Sequence, residues 1–241
     1  GHNDMKILIT GMTGFAGHHL YDLLAHESAS NEIHGTYLSS GKGKLDDFPR
    51  AKLHRCDLIE PGEVTKVVAR VGPDWIFHLG AFVSVRKSFD VAPRAIKTNV
   101  IGTVNLMEAV VKHCAGAKVL LPGSSEEYGT VPAGGVPVAE SAELKPVNPY
   151  GLSKKLQEDV GLYYHRVHGV DAVFTRTFFS MGPHQALGFV FPDFSKQAIE
   201  VKTGRRDAIS VGNLDVRRDF TDVRDVVRAY RQLMELGMPG E

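Results

Sequence analysis

Short apolar runs alternate along this chain with stretches whose apolar positions return every three or four residues. Residues 6–10 (Lys-Ile-Leu-Ile-Thr) predict a buried strand, and 16–25 predict a helix. Strand-like segments follow at 32–38, 52–56, 75–79, 118–122 and 172–177. Helical patterns cover 61–70, with Pro61 in the first turn, then 93–114 and 148–168. A Gly/Lys/Asp-rich loop fills 39–50. Alternation of this kind predicts an α/β fold, a doubly wound parallel sheet with helices on both faces. The rhythm breaks after about Phe178, where Gly, Pro and aromatic residues crowd the sequence. The expected division is a sheet domain at 5–178 and a smaller substrate-binding part at 179–241, with one segment returning to the first domain.

The first strand runs directly into Gly11-Met12-Thr13-Gly14-Phe15-Ala16-Gly17. One glycine allows a sharp turn, one bares N–H groups at a helix start to a pyrophosphate, and one lets helix pack on strand. In the strand–turn–helix context this pattern predicts a Rossmann dinucleotide site. NAD sites carry an acid after the second strand. Here that stretch offers Ser39 and Lys42 instead, which suits a 2′-phosphate, so NADP is favoured and NAD stays open. Asp57, followed by Leu58, is placed to accept from an adenine amino group or to close a turn. His78 is read as a satisfied core residue, and Leu79, Gly80 and Ala81 continue the cofactor side.

The catalytic chemistry is expected at Ser124, Tyr150 and Lys154. Tyr150 and Lys154 stand four apart, so they share one helix face. Ser124 follows a strand, at the carboxyl edge where open α/β sheets bind ligands. A phenol titrates near 10, and a Lys ammonium about 4 Å away at an effective dielectric near 20 supplies about 4 kcal/mol. That is about three pKa units, enough to make the phenol a general acid or base at neutral pH.

Composition adds limits. The chain has 241 residues with 28 Lys+Arg against 28 Asp+Glu, so no basic surplus argues for nucleic acid or an anionic membrane. At 43% hydrophobic and 23% charged it is not a disordered composition. No run approaches the roughly 18 apolar residues of a membrane span, and 6–10 is too short for a signal peptide. Two cysteines, Cys56 and Cys114, fit a reducing compartment, and the expected location is the cytoplasm. Gly1 to Asp4, ahead of Met5, read as an added leader outside the fold. The eleven histidines show no metal-ligand spacing, so no metal site is expected.

These motifs together resemble the extended short-chain dehydrogenase/reductase (NAD-dependent epimerase/dehydratase) superfamily. They run in that family's order: Thr10 to Gly17, Asp57-Leu58, His78 to Ala81, Asn99-Val100 with Gly102-Thr103, Ser124 with Tyr128-Gly129, and Pro149-Tyr150 through Lys154. The segments Gly123 to Gly129, Thr175 to Phe178, Gly182-Pro183, Leu187 to Val190, Asp193-Phe194 with Lys196-Gln197, and Val211 to Asp225 are similar to GDP-4-keto-6-deoxy-mannose reductases and GDP-mannose 4,6-dehydratases. The resemblance implies nucleotide-sugar chemistry on a GDP-linked substrate. It implies a catalytic Ser124/Tyr150/Lys154 set, with Lys154 also holding the nicotinamide ribose and Asn99 near the active-site strands. Glu126 aligns with the dehydratase base, though it also reads as a plain hydrogen-bonding residue. Ser125, Phe194 and Lys196 would lie beside the substrate. Arg218 would contact the diphosphate; it and Arg176 also read as ion-pair partners. A homodimer through the two long helices is expected. Two departures stand out. Phe179 replaces an asparagine that contacts substrate phosphate, a loss of about 1–3 kcal/mol unless Ser180 or His184 compensates. The family also runs several tens of residues beyond Glu241, so the substrate-binding part is expected to be incomplete. A dehydratase, a 4-epimerase and a non-catalytic dinucleotide sensor remain as alternatives to the reductase.

Overall fold

In the computed structural model, which describes residues 5–39 and 45–241, six strands form one parallel sheet. They are β1 (Lys6–Thr10), β2 (Glu32–Tyr37), β3 (Ala51–Arg55), β4 (Trp75–His78), β5 (Lys118–Ser124) and β6 (Asp171–Thr177), in the order β3-β2-β1-β4-β5-β6. Both faces are covered, which is why the central strands read as continuous apolar runs. On one face α2 (Pro61–Val71), α5 (Gly102–His113) and α6 (Pro149–His168) bury Val64, Val68, Leu106, Val110 and Tyr164 against Ile76 and Val119. On the other, α1 (Phe15–Glu27) and α8 (Val223–Leu236) bury Leu20, Leu24, Val227 and Tyr230 against Ile7, Ile9 and Phe77. Helix α8 thus packs on the same face of the sheet as α1.

Local chemistry sets the ends of these helices. Asn148 caps α6 by accepting the Gly151 N–H at 2.8 Å, Pro149 occupies the first turn, and Gly169 at φ 69° closes it. Asp222 caps α8 through the Arg224 N–H. In α2, Val64, Val67, Val68 and Val71 recur at helical spacing and all are buried.

Strands and long helices fall within a few residues of expectation, with one correction. The helix expected at 93–114 is interrupted. α3 (Val85–Ser88) and α4 (Ala92–Ile96) precede a π-helical turn, Lys97–Ile101, and only then does α5 begin. The wide turn points Asn99 inward, where its side chain accepts the Phe82 N–H at 2.7 Å and donates to Phe82 O at 3.0 Å and Ser153 Oγ at 2.8 Å. Beyond β6, β7 (Phe179–Met181) and β8 (Phe220–Asp222) pair as a separate two-stranded parallel sheet. Helix α7 (Val190–Lys202) lies between them in sequence and buries no residue.

Candidate active site

A cleft of about 970 Å³ opens along the carboxyl ends of the strands. This is where a doubly wound sheet binds ligands. The glycine loop forms one wall. Gly11 has φ +64°, and a Cβ there would stand 2.6 Å from Gly80 Cα; at Gly17 it would stand 2.7 Å from Met12 Cα. Gly14 is the N-cap of α1 and has no side chain to satisfy the first N–H groups. These bare donors, with Thr13, Phe15 and Ala16 beside them, face the cleft. They fit an anionic diphosphate, so the residues present suit a dinucleotide.

Ser39, Asp57, Leu58, Leu79, Gly80 and Ala81 also line the cleft. Asp57 closes a turn by accepting the Ile59 N–H at 3.1 Å, and so fits both of its readings. Lys42 lies outside the described residues. Asn99 does not reach the cleft, because Phe82 and Ser153 take up its amide; it braces the site from behind rather than lining it. His78 is a core residue. Its ring bonds Thr10 Oγ1 at 2.9 Å and Thr103 Oγ1 at 3.0 Å, and burial brings its pKa down to about 3, so it is neutral.

Ser124, Tyr150 and Lys154 meet at one end. Ser124 is the last residue of β5 and opens a tight turn: its Oγ accepts the Glu126 N–H at 3.2 Å, and its own N–H donates to Glu127 Oε1 at 2.6 Å. Helix α6 starts against this turn because Gly151 has no Cβ to strike the Glu126 carbonyl. That approach brings Tyr150 to the Ser124 hydroxyl. The phenol is not tuned as the spacing suggests. Burial drives its pKa above the ordinary value, and the Ser124 hydroxyl opposes this only in part. Lys154 Nζ instead donates to Gln157 Oε1 at 2.7 Å. Burial brings the Lys154 pKa down to about 8, against an opposing pull from Glu127. At neutral pH the pair is therefore a protonated phenol beside a predominantly cationic amine.

Ser125, Glu126, Phe179 and Arg218 line the same cleft. Glu126 Oε2 accepts from Asn148 Nδ2 at 2.7 Å. Phe179 packs edge-on to Phe220, with centroids 5.4 Å apart. Arg176 is an ion-pair residue: it donates to both oxygens of Glu158, at 3.0 and 2.6 Å, and does not line the cleft. Phe194 and Lys196 sit on α7 away from it, and Lys196 pairs with Glu200 at 3.8 Å. The sequence reading did not pick out Arg86, Arg94, Asp47, His18 or Tyr230, all of which line the cleft, as does His184, which it offered as a replacement for the missing asparagine. Only His18 carried a local signal, since it follows Gly17 directly; His184 stacks on it with centroids 4.0 Å apart.

Residues 8–241 match the sequence model of the GDP-mannose 4,6 dehydratase family. The chain belongs to this family. It is 30% identical over 236 residues to GDP-6-deoxy-D-mannose reductase of Pseudomonas aeruginosa, covering 98% of this chain and 72% of that protein. It is 29% identical over 247 residues to human GDP-mannose 4,6 dehydratase, covering 96% of this chain and 65% of that protein. Among solved structures, the RMD protein of Pseudomonas aeruginosa complexed with NADPH matches with a TM-score of 0.83 at 30% identity, over 98% of this chain and 75% of that one. DesIV of Streptomyces venezuelae, a dTDP-glucose 4,6-dehydratase with NAD and TYD bound, matches with a TM-score of 0.84 at 27% identity, over 98% and 74%. These two similar structures thus comprise one NADPH complex and one NAD complex.

Proposed function

We propose that this chain is a nucleotide-sugar oxidoreductase that reduces the 4-keto group of a 4-keto-6-deoxy sugar, GDP-linked, using NADPH. The observation that carries the reading is the meeting of Ser124, a protonated Tyr150 and a cationic Lys154 at the end of the cleft that begins at the glycine loop. Gly11 to Gly17, Ser39, Asp57, Leu58 and Leu79 to Ala81 would hold the cofactor, with Lys42 toward a 2′-phosphate. When bound, NADPH supplies a hydride equivalent to the ketone carbon. Tyr150 Oη gives its proton to the ketone oxygen as that oxygen gains charge. Ser124 Oγ orients the same oxygen. Lys154, cationic below about 8, stabilises the phenolate left on Tyr150. Residues 179–241 form the substrate side, with Arg218 toward the diphosphate.

Glu126, in the cleft beside Ser124, keeps the 4,6-dehydratase as the second reading, because it could serve as the C5 base. Net NADPH consumption separates the two: the reductase consumes it stoichiometrically and the dehydratase regenerates it. A dinucleotide sensor would need no protonated phenol beside a buried amine. Titration with NADPH and NADH tests the cofactor preference. Ile101, Leu152, Tyr163 and Val167 expose apolar surface on the long-helix side, which supports the homodimer. A monomeric mass in solution would remove it. Among the described residues no helix is long and apolar enough to cross a membrane. The two free cysteines suit the cytoplasm.

A further inference from the structure

Behind the Ser124 turn lies a carboxyl with no part in the reaction above. Glu127 is 0% exposed. Its Oε1 accepts the Ser124 N–H at 2.6 Å. Its Oε2 has no hydrogen-bond partner and stands 3.9 Å from Arg176 Nε. That guanidinium is committed elsewhere: Nε and Nη2 donate to Glu158, and Nη1 donates to Glu140 O at 2.7 Å and to the Tyr128 hydroxyl at 3.3 Å. The space is built for the carboxyl, since a Cβ at Gly123 would strike Glu127 Oε1.

Glu127 and Glu158 therefore lie together beside Arg176, whose hydrogen bonds all go elsewhere than Glu127, and an ionised Glu127 keeps a buried acceptor, Oε2, with no donor. One proton on Glu127 Oε2 removes that cost and supplies an O–H donor toward Glu158, its hydrogen-bonding neighbour. The groups facing Glu127 are Glu158, Lys154 and Tyr150 on α6, Arg176 on β6, and Glu126 and Tyr128 on its own turn. Burial is the main force raising its pKa, to about 7; the Ser124 N–H opposes it and Glu158 adds to it.

We infer that Glu127 is a positioning residue that takes up a proton on Oε2, toward Glu158, and thereby fixes the turn carrying Ser124. When it ionises, negative charge appears beside Tyr150 and raises that phenol further, weakening it as an acid. The catalytic consequence rests on the reductase reading; the proton and the turn do not.

The test needs no substrate. Infrared difference spectra over about pH 5 to 9 should show a carboxylic-acid carbonyl band in the wild type that disappears in the neutral range and is missing from Glu127→Gln. The Ser124 amide resonance should titrate with the same midpoint in the wild type and stay fixed in Glu127→Gln, which keeps an acceptor but cannot ionise. Identical spectra for the two proteins, or a Ser124 resonance that ignores the band's midpoint, would overturn the inference. In turnover, Glu127→Gln should remove from the alkaline limb of kcat the step that follows the band's midpoint, with KM little changed. A limb that keeps that step would remove the catalytic consequence. Failure of both proteins to turn over would count against the reductase reading, while band and amide shift still decide the role of Glu127.

Discussion

Replacing Gly11 with alanine should damage both stability and cofactor binding, and the size of the effect follows from two distances and one angle. At φ +64° a Cβ costs about 1–2 kcal/mol through its clash with the following carbonyl. The same Cβ would lie 2.6 Å from Gly80 Cα and 2.9 Å from Gly80 N. Those atoms are backbone at the end of β4 and cannot swing aside, so relief requires moving the loop, an overpacking cost of about 1–3 kcal/mol. The sum is about 2–5 kcal/mol. At about 2–4 °C per kcal/mol for a chain of this size, Tm should fall by roughly 4–20 °C. Because the loop moves away from the cleft wall, the Kd for NADPH should rise at least about tenfold. The control is Gly62→Ala in α2, where a Cβ meets nothing within 4 Å. That variant should gain about 0.5–1 kcal/mol and bind NADPH unchanged. Thermal melts and quenching of intrinsic fluorescence by NADPH read both effects. A Gly11→Ala protein that melts and binds like the wild type would refute the close-approach argument.

Further outcomes follow from the buried charges. Arg176→Met should cost about 3 kcal/mol in urea unfolding, because it leaves Glu158 unpaired; a loss under about 1 kcal/mol would mean that water already screens the pair. His78 is neutral in the fold, with its pKa down to about 3, so unfolding takes up a proton there as pH falls below 6.5. Its contribution is full above 6.5 and drains away toward 3, at about 1.4 kcal/mol per pH unit. His78→Asn should flatten the acid side of the stability curve by that amount. Glu127 acts in the opposite sense: its raised pKa gives stability that is full below 4.5 and lost as pH rises through about 7, so Glu127→Gln should steepen the curve between those values. Curves unchanged by both substitutions would contradict these protonation states.

The sheet was legible because its strands are buried on both faces and announce themselves as apolar runs, and because Asn148, Pro149, Gly169 and Pro61 punctuate the helices with ordinary capping chemistry. The glycine loop was legible for a related reason: a Cβ at Gly11 or Gly17 has nowhere to go. Other features depend on partners distant in sequence. The apolar spacing of 93–114 runs through the π-helical turn without a mark, since what turns Asn99 inward is the backbone of Phe82 and the hydroxyl of Ser153. Spacing put Lys154 on the same face as Tyr150 but could not reveal that its amine turns to Gln157, or that burial raises the pKa of the phenol. The cations Arg86 and Arg94 reach the cleft from short helices with no motif of their own.

The most direct test of the proposed reaction is NADPH absorbance against time, with this protein and freshly made GDP-4-keto-6-deoxy-mannose. The account predicts stoichiometric loss of NADPH, abolished in Tyr150→Phe while that variant still binds the cofactor. Binding of NADPH without consumption, or a Tyr150→Phe protein that keeps nearly the full rate, would contradict it.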